Sequence, residues 1–348
     1  MMALGTIAQS VFRSDRVTGV IISSLLAILF GYCLRKKGVL TTDTPKVLMK
    51  VILAISLPSL AFKAFMKDIN QESLAQGINL LIWGFVIYIL LILMTKLIYF
   101  KYDKDKQLIL RVLTVFGSTT FFGIPIIAVV YGAEGVMYAS IFNIAYRVFL
   151  YSYGYLKMAG LKMDKENIKL ILFNPIFLAT SGGMFIWVYQ ASFPQIMVGG
   201  HNYAFLRIDK TVVWLYILIT YLGDLCPPLA WISIGSKLAE VSLKEIFTSV
   251  DSWFCSLVKV ILVPLFNIIA LYFLTITGIL PVSFVALATV VIMMAVPTST
   301  VAATYAIGFD KGALLTSNSS LLSIVMCIIC MPLWILVLEI IKSLNVFV

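Results

Sequence analysis

Charge is what this sequence has least of. Of its 348 residues only 12% are charged and one, His201, is a histidine, while 61% are hydrophobic and the mean hydropathy is +1.03. A soluble domain carries about 25% charged residues, so this chain lacks the polar surface that would keep it dispersed in water. Its apolar runs are continuous rather than alternating, which excludes a transmembrane β-barrel. No HExxH, P-loop, nucleophile elbow or cluster of metal ligands occurs, so no cofactor or metal is called for. Gly223-Asp224 touches on an intramembrane aspartyl protease pattern, but that reaction needs two apposed aspartates and no second one falls mid-span. The spacing Cys327-x-x-Cys330 sits inside an apolar run without a βαβ context and reads as two small apolar residues. A lone histidine in a connection is expected to be solvated.

What the sequence has instead is apolar stretches of the length that crosses a bilayer as helix. Ten are read, at about 17–34, 47–66, 77–100, 108–131, 134–158, 168–190, 211–237, 251–275, 284–308 and 312–338. The longest connection, 190–210, is still short, and nothing resembles a separate soluble domain. Asp15 and Arg16 directly precede the first stretch, which reads as a retained helix rather than a cleaved leader. The net charge of +10 does not indicate nucleic acid, because the basic residues lie in the connections between spans. Alternate connections carry the clusters at 35–37, 46–50, 96–111 and 157–169 together with Lys237, Lys244 and Lys311. The opposite ones carry only Arg13, Arg16, Lys63, Lys67, Arg207, Lys210 and Lys342. This bias predicts both termini outside, at the cell membrane. Arg147 and Lys259 belong to neither group, since both fall within spans.

The two halves repeat. Pro58-Ser59-Leu60-Ala61-Phe62 matches Pro227-Pro228-Leu229-Ala230-Trp231, and Pro125 followed by Gly132-Ala133-Glu134-Gly135 matches Pro297 followed by Gly308-Phe309-Asp310-Lys311-Gly312. Five spans per repeat invert the second copy, an arrangement associated with alternating-access transporters. The fold expected is therefore an all-α membrane protein of ten helices in two inverted repeats, residues 1–160 and 161–348, with helices four and nine broken at their prolines.

Proline removes a backbone donor, and Gly123 weakens the helix beside Pro125. If both helices break, new N-termini after Pro125 and Pro297 converge from opposite sides, each with unpaired N–H groups and partial positive charge. Such a pair would hold a carboxylate; simple kinks are the alternative. The hydroxyls of Ser118, Thr119, Thr120, Thr298, Ser299 and Thr300 would serve the ligand or bond back to their own helices. Arg147 lies halfway along 138–156, where a cation is expected to face an interior cavity. Its fork-shaped guanidinium suits a substrate carboxylate, or else it is fixed by carbonyls or an internal acid. Asn143 shares its helical face. Thr316, Ser317, Asn318, Ser319 and Ser320 would glue helices or line a cavity. Asp224 is the one acid near mid-span, a candidate for carrying a proton or sodium ion or for pairing with a cation.

These residues resemble the auxin efflux carrier family, which includes bacterial malate permease-like proteins and the plant auxin exporters. The likeness rests on Gly31, Lys37-Gly38-Val39-Leu40, Leu57-Pro58, Phe121-Phe122-Gly123-Ile124-Pro125, Tyr131-Gly132, Asn174-Pro175, Pro228-Leu229-Ala230, Ile234-Gly235-Ser236 and Ala295-Val296-Pro297, and so extends from the first span to the tenth. It implies a crossing of helices four and nine, elevator movement of helices 3–5 and 8–10 against a scaffold of 1, 2, 6 and 7, organic anion substrates, and homodimers. Family members often carry asparagine seven residues before the proline where this chain has Ser118, which leaves the particular anion open. The chain lacks the long central loop of many plant exporters. The expected activity is secondary transport of small organic anions, mono- or dicarboxylates. The rivals are a sodium- or proton-coupled symporter of bulkier acids and a membrane receptor that does not transport.

Overall fold

The computed structural model describes residues 15–69, 71–159, 173–239, 248–309, 311–344 and 346–347. They are mostly helical. In chain order come α1 (Asp15–Lys36), α2 (Thr44–Val51), α3 (Leu57–Lys63), α4 (Gln71–Ile98), α5 (Lys104–Val115), α6 (Ile124–Val130), α7 (Gly132–Phe149), α8 (Tyr155–Ala159) and α9 (Pro175–Tyr189). A hairpin, β1 (Gln195–Val198) and β2 (His201–Ala204), precedes α10 (Ile208–Thr211), α11 (Val213–Asp224), α12 (Cys226–Leu238), α13 (Val250–Leu257), α14 (Val263–Ile276), α15 (Phe284–Ala295), α16 (Thr300–Gly308) and α17 (Ala313–Ser343). Five helical stretches among the described residues are long and apolar enough to cross a membrane: Thr44–Lys63, Gln71–Ile98, Val213–Leu238, Val250–Ile276 and Leu314–Ser343.

Pro125, expected to break its helix, acts differently, and Pro58 and Pro264 behave as it does. Pro58, Pro125 and Pro264 each stand second in an α-helix, and each helix is preceded directly by a π turn, at Ile52–Ser56, Thr119–Gly123 and Val258–Leu262. A proline cannot donate to the carbonyl four residues back, and its ring collides with it. Widening one turn relieves that collision while the chain stays helical. The carbonyl freed by Pro264 is Val260 O, and the Trp334 indole N–H donates to it at 2.9 Å. Helix four therefore bulges at Pro125; its α-helical path ends earlier, at Val115.

The 190–210 connection is the other departure from an all-α reading. Gly199 and Gly200 both have positive φ, 58° and 85°, the conformation that joins two strands through a two-residue turn. Val198 pairs with His201, and Gln195 with Ala204, in antiparallel register. Arg207, 2% exposed, ties this hairpin region down. Its guanidinium donates to both carboxylate oxygens of Asp209 at 2.8 and 2.9 Å, to Asp68 Oδ1 at 2.8 Å and to Gln190 Oε1 at 2.7 Å.

Close backbone approach joins α1 to α12. A Cβ on Gly31 would lie 2.3 Å from Ile232 O, and one on Gly235 would lie 1.8 Å from Ile28 O. Small residues let helices pack this tightly.

Candidate functional site

Two short stretches of non-helical backbone, residues 116–118 and 296–299, cross in the interior. Gly117 and Thr298 form an antiparallel bridge. Ser118 N–H donates to Pro297 O at 2.7 Å, and Ser299 N–H donates to Phe116 O at 2.9 Å. Broken helices leave polar backbone groups that hydrocarbon cannot satisfy; here each interruption satisfies the other. Gly117 permits the crossing, since a Cβ there would lie 2.5 Å from Val296 Cγ2 and 2.9 Å from Lys259 Nζ.

Helix resumes just after each stretch. Phe122 N–H donates to the Ser118 carbonyl at 3.0 Å and Ala303 N–H to the Ser299 carbonyl at 2.9 Å. Ser299 Oγ also accepts from Ala302 N–H at 3.4 Å. Ser118 and Ser299 thus stand at the N-terminal ends of two helices, Thr119–Val130 and α16.

Both ends open on one cavity of about 380 Å³, lined by Ser118, Thr120 and Ser299 together with Tyr146, Arg147, Lys50 and Asn174. Arg147, on α7, is 5% exposed. Asn174 caps α9, its Oδ1 accepting from Ile176 N–H at 3.0 Å and Phe177 N–H at 3.4 Å. Among the described residues no aspartate or glutamate lines the cavity. Helix N-termini and a guanidinium around one space favour an anion. An adjoining cavity of about 550 Å³ shares Lys50, Leu53, Ser118 and Phe121 and adds Thr298, Ser317 and Ser320.

Other expected site residues lie elsewhere. Thr119 and Asn143 bond to each other behind the cavity wall, Thr119 Oγ1 donating to Asn143 Oδ1 at 2.8 Å and Asn143 Nδ2 to Thr120 Oγ1 at 3.4 Å. Gly123 gives α15 room, a Cβ there lying 2.7 Å from Met293 Sδ. Pro125 and Pro297 shape the backbone without lining either cavity. Asn318 is half-buried on α17 and does not line the cavities that Ser317 and Ser320 reach. The Thr300 side chain lies outside the described residues. Asp224 forms an ion pair with Lys63, and both line a separate cavity of about 810 Å³ with Gly132 and Trp231.

Three residues at the crossing carried no role in the sequence reading. Lys259, in the π turn before Pro264, is fully buried, and its Nζ makes no hydrogen bond among the described residues. The signal for it was a lone charge in an apolar run. Tyr146 hydroxyl pairs with Ser299 Oγ at 3.0 Å, and Ser323 Oγ accepts from Thr298 N–H at 3.1 Å; nothing in the sequence marks either.

An apolar, mostly helical chain with crossing backbone and a cationic interior cavity belongs to the class of multi-pass membrane transport proteins. The comparison with protein families is specific: the membrane transport protein family matches residues 17–335, and the chain belongs to that family, the auxin efflux carriers. It is a transporter rather than an enzyme. A protein of Methanothermobacter thermautotrophicus described as an uncharacterized transporter is 23% identical over 331 residues, covering 92% of this chain and 98% of its own. Another uncharacterized transporter, from Methanocaldococcus jannaschii, is 24% identical over 236 residues, 65% of this chain and 70% of its own.

Proposed function

We propose that the protein is a secondary transporter of small organic anions, mono- or dicarboxylates, working at the cell membrane by elevator-type alternating access. The observation that carries this reading is the meeting of Ser118, Thr120, Ser299 and Arg147 on one cavity. The two helix ends supply partial positive charge and the guanidinium a full one, so a carboxylate is the ligand whose geometry and sign match. The reading includes two inverted repeats, a termini-outside orientation and a homodimer. Helices 3–5 and 8–10 move in it against a scaffold of 1, 2, 6 and 7. Exchange of the two crossing backbones' hydrogen bonds supports the first of these, because each stretch completes the other as paired repeats would.

Reconstitution tests it. Proteoliposomes offered labelled malate, malonate, citrate and indole-acetate, under imposed pH, sodium and voltage gradients, are expected to take up at least one of them. Arg147→Ala is expected to abolish that uptake while the protein still elutes as a folded species. Uptake at wild-type affinity by the variant, or no flux of any organic acid by the parent, would sink the proposal, and the second outcome would favour a non-transporting receptor. Flux driven by a sodium gradient would favour the coupled symporter. Asp224 is the candidate coupling group, but its pairing with Lys63 away from the Arg147 cavity favours a role in holding α3 to α11.

A further inference from the structure

We propose that Tyr146 is a positioning residue for the substrate: it donates its hydrogen to Ser299 and so turns the serine hydroxyl's own hydrogen onto the bound carboxylate. The inference rests on the anion-transport reading above and names the group that orients one of its contacts.

Tyr146 is buried on α7, one residue before Arg147, and lines the same 380 Å³ cavity as Ser299. Its ring meets Phe116 edge to face, with centroids 6.1 Å apart, and leans on Tyr88 at 6.0 Å. Its hydroxyl lies 3.0 Å from Ser299 Oγ. Phe116 and Ser299 are themselves partners, since Ser299 N–H donates to Phe116 O at 2.9 Å. Tyr146 therefore touches both residues of one of the two backbone bonds that close the crossing. An aromatic side chain has only two χ angles to fix, so packing of the ring holds the hydroxyl in place.

A serine hydroxyl has one hydrogen and two lone pairs. Ser299 Oγ accepts from Ala302 N–H at 3.4 Å, which uses one lone pair. The bond with Tyr146 can run in either direction. A phenol proton is more acidic than that of an alkyl hydroxyl, so donation from Tyr146 is the favoured direction. It fills the second lone pair of Ser299 and leaves the serine hydrogen for a ligand in the cavity. A carboxylate only accepts, so its arrival selects the same direction. Each bond in such a chain also polarises the next, which strengthens the one that reaches the anion. A second serine at the crossing works otherwise: Ser323 accepts from Thr298 N–H at 3.1 Å but gives its hydrogen to the Ser320 carbonyl at 2.8 Å. In the elevator reading Tyr146 and Ser299 belong to one moving body, so the arrangement travels with the substrate.

The test measures uptake kinetics in proteoliposomes for malate, malonate, citrate and indole-acetate. Tyr146→Phe keeps the ring on Phe116 and removes only the hydroxyl. For each acid that wild type takes up, it is expected to raise KM about three- to tenfold, the effect of one hydrogen bond, with a smaller change in Vmax. Ser299→Ala is expected to raise KM at least as far. The double variant is expected to match Ser299→Ala, because Tyr146 acts only through that serine. Ser299→Cys, a weak donor of similar shape, takes the place of Ser299→Ala if the latter does not elute as a folded species. Wild-type KM in Tyr146→Phe would overturn the assignment. So would costs that multiply in the double variant, the mark of two independent roles. No uptake of any of the four acids by wild type would defeat the transport reading and this inference with it, a result distinct from the other two.

Discussion

Gly117 is surrounded on three sides by groups that define the crossing. Val296 and Lys259 occupy the space a side chain would need, and Thr298 pairs with its backbone. A methyl group there must push aside the buried amine of Lys259, which already lacks a hydrogen bond among the described residues. Overpacking of this kind costs about 1–3 kcal/mol. Gly117→Ala is therefore expected to melt at lower temperature than wild type in detergent. Its loss of transport should exceed its loss of folded protein, because the crossing itself is displaced. A variant with wild-type melting and uptake would show that the close contact relaxes freely. Lys259 and Arg147 differ at this scale in a useful way: both are basic residues inside apolar stretches, but Arg147 lines the 380 Å³ cavity and Lys259 is fully buried.

At the scale of elements, proline does two separate jobs in this fold. Before Pro58, Pro125 and Pro264 it widens a helix into a π turn, and in residues 296–299 it stands in backbone that is not helical at all. The same dipeptide, Val-Pro, stands at Pro264 and at Pro297 and cannot distinguish these outcomes, since the choice depends on what the freed backbone groups meet. Trp334 meets Val260 O, whereas the chain at Phe116 meets a second interruption. Helix pairing is more direct. Gly235 on α12 touches Ile28 O of α1 so closely that Gly235→Ala must separate the two helices, with an expected loss of roughly 1–3 kcal/mol. Gly182→Ala, on α9 where nothing lies within 4 Å, is the control and is expected to be neutral or stabilising by up to about 1 kcal/mol. Thermal melting of both variants decides the point. Equal shifts would mean that helix propensity, not close approach, governs position 235.

For the whole molecule, one ion pair lies apart from the Arg147 cavity. The Lys63–Asp224 pair bridges α3 and α11 beside its own cavity, with Asp224 61% exposed on its side chain. An exposed pair of this kind contributes about 0.2–1 kcal/mol. Asp224→Asn is therefore expected to lower stability only slightly and to leave uptake, and its response to an imposed pH gradient, as in wild type. A variant whose uptake no longer follows that gradient would return Asp224 to the role of coupling group.

Composition and hydropathy determined the class, because a chain with 12% charged residues has no stable folded form in water that hides so much apolar surface. The order of motifs determined the family. Arg147 was legible as a candidate site residue, since a cation inside an apolar span is expected to face an interior cavity. Tertiary structure alone decided where the helices are interrupted. A break survives in an apolar interior only where its backbone groups find partners, and those partners, Phe116 with Ser299 and Ser118 with Pro297, are about 180 residues apart in the chain. It also decided that Thr119 and Asn143 bond to each other, that Lys50 shares a cavity with Arg147, and that a glycine pair turns a connection into a hairpin. Each of these depends on the neighbours that folding brings together, which no local pattern of residues records.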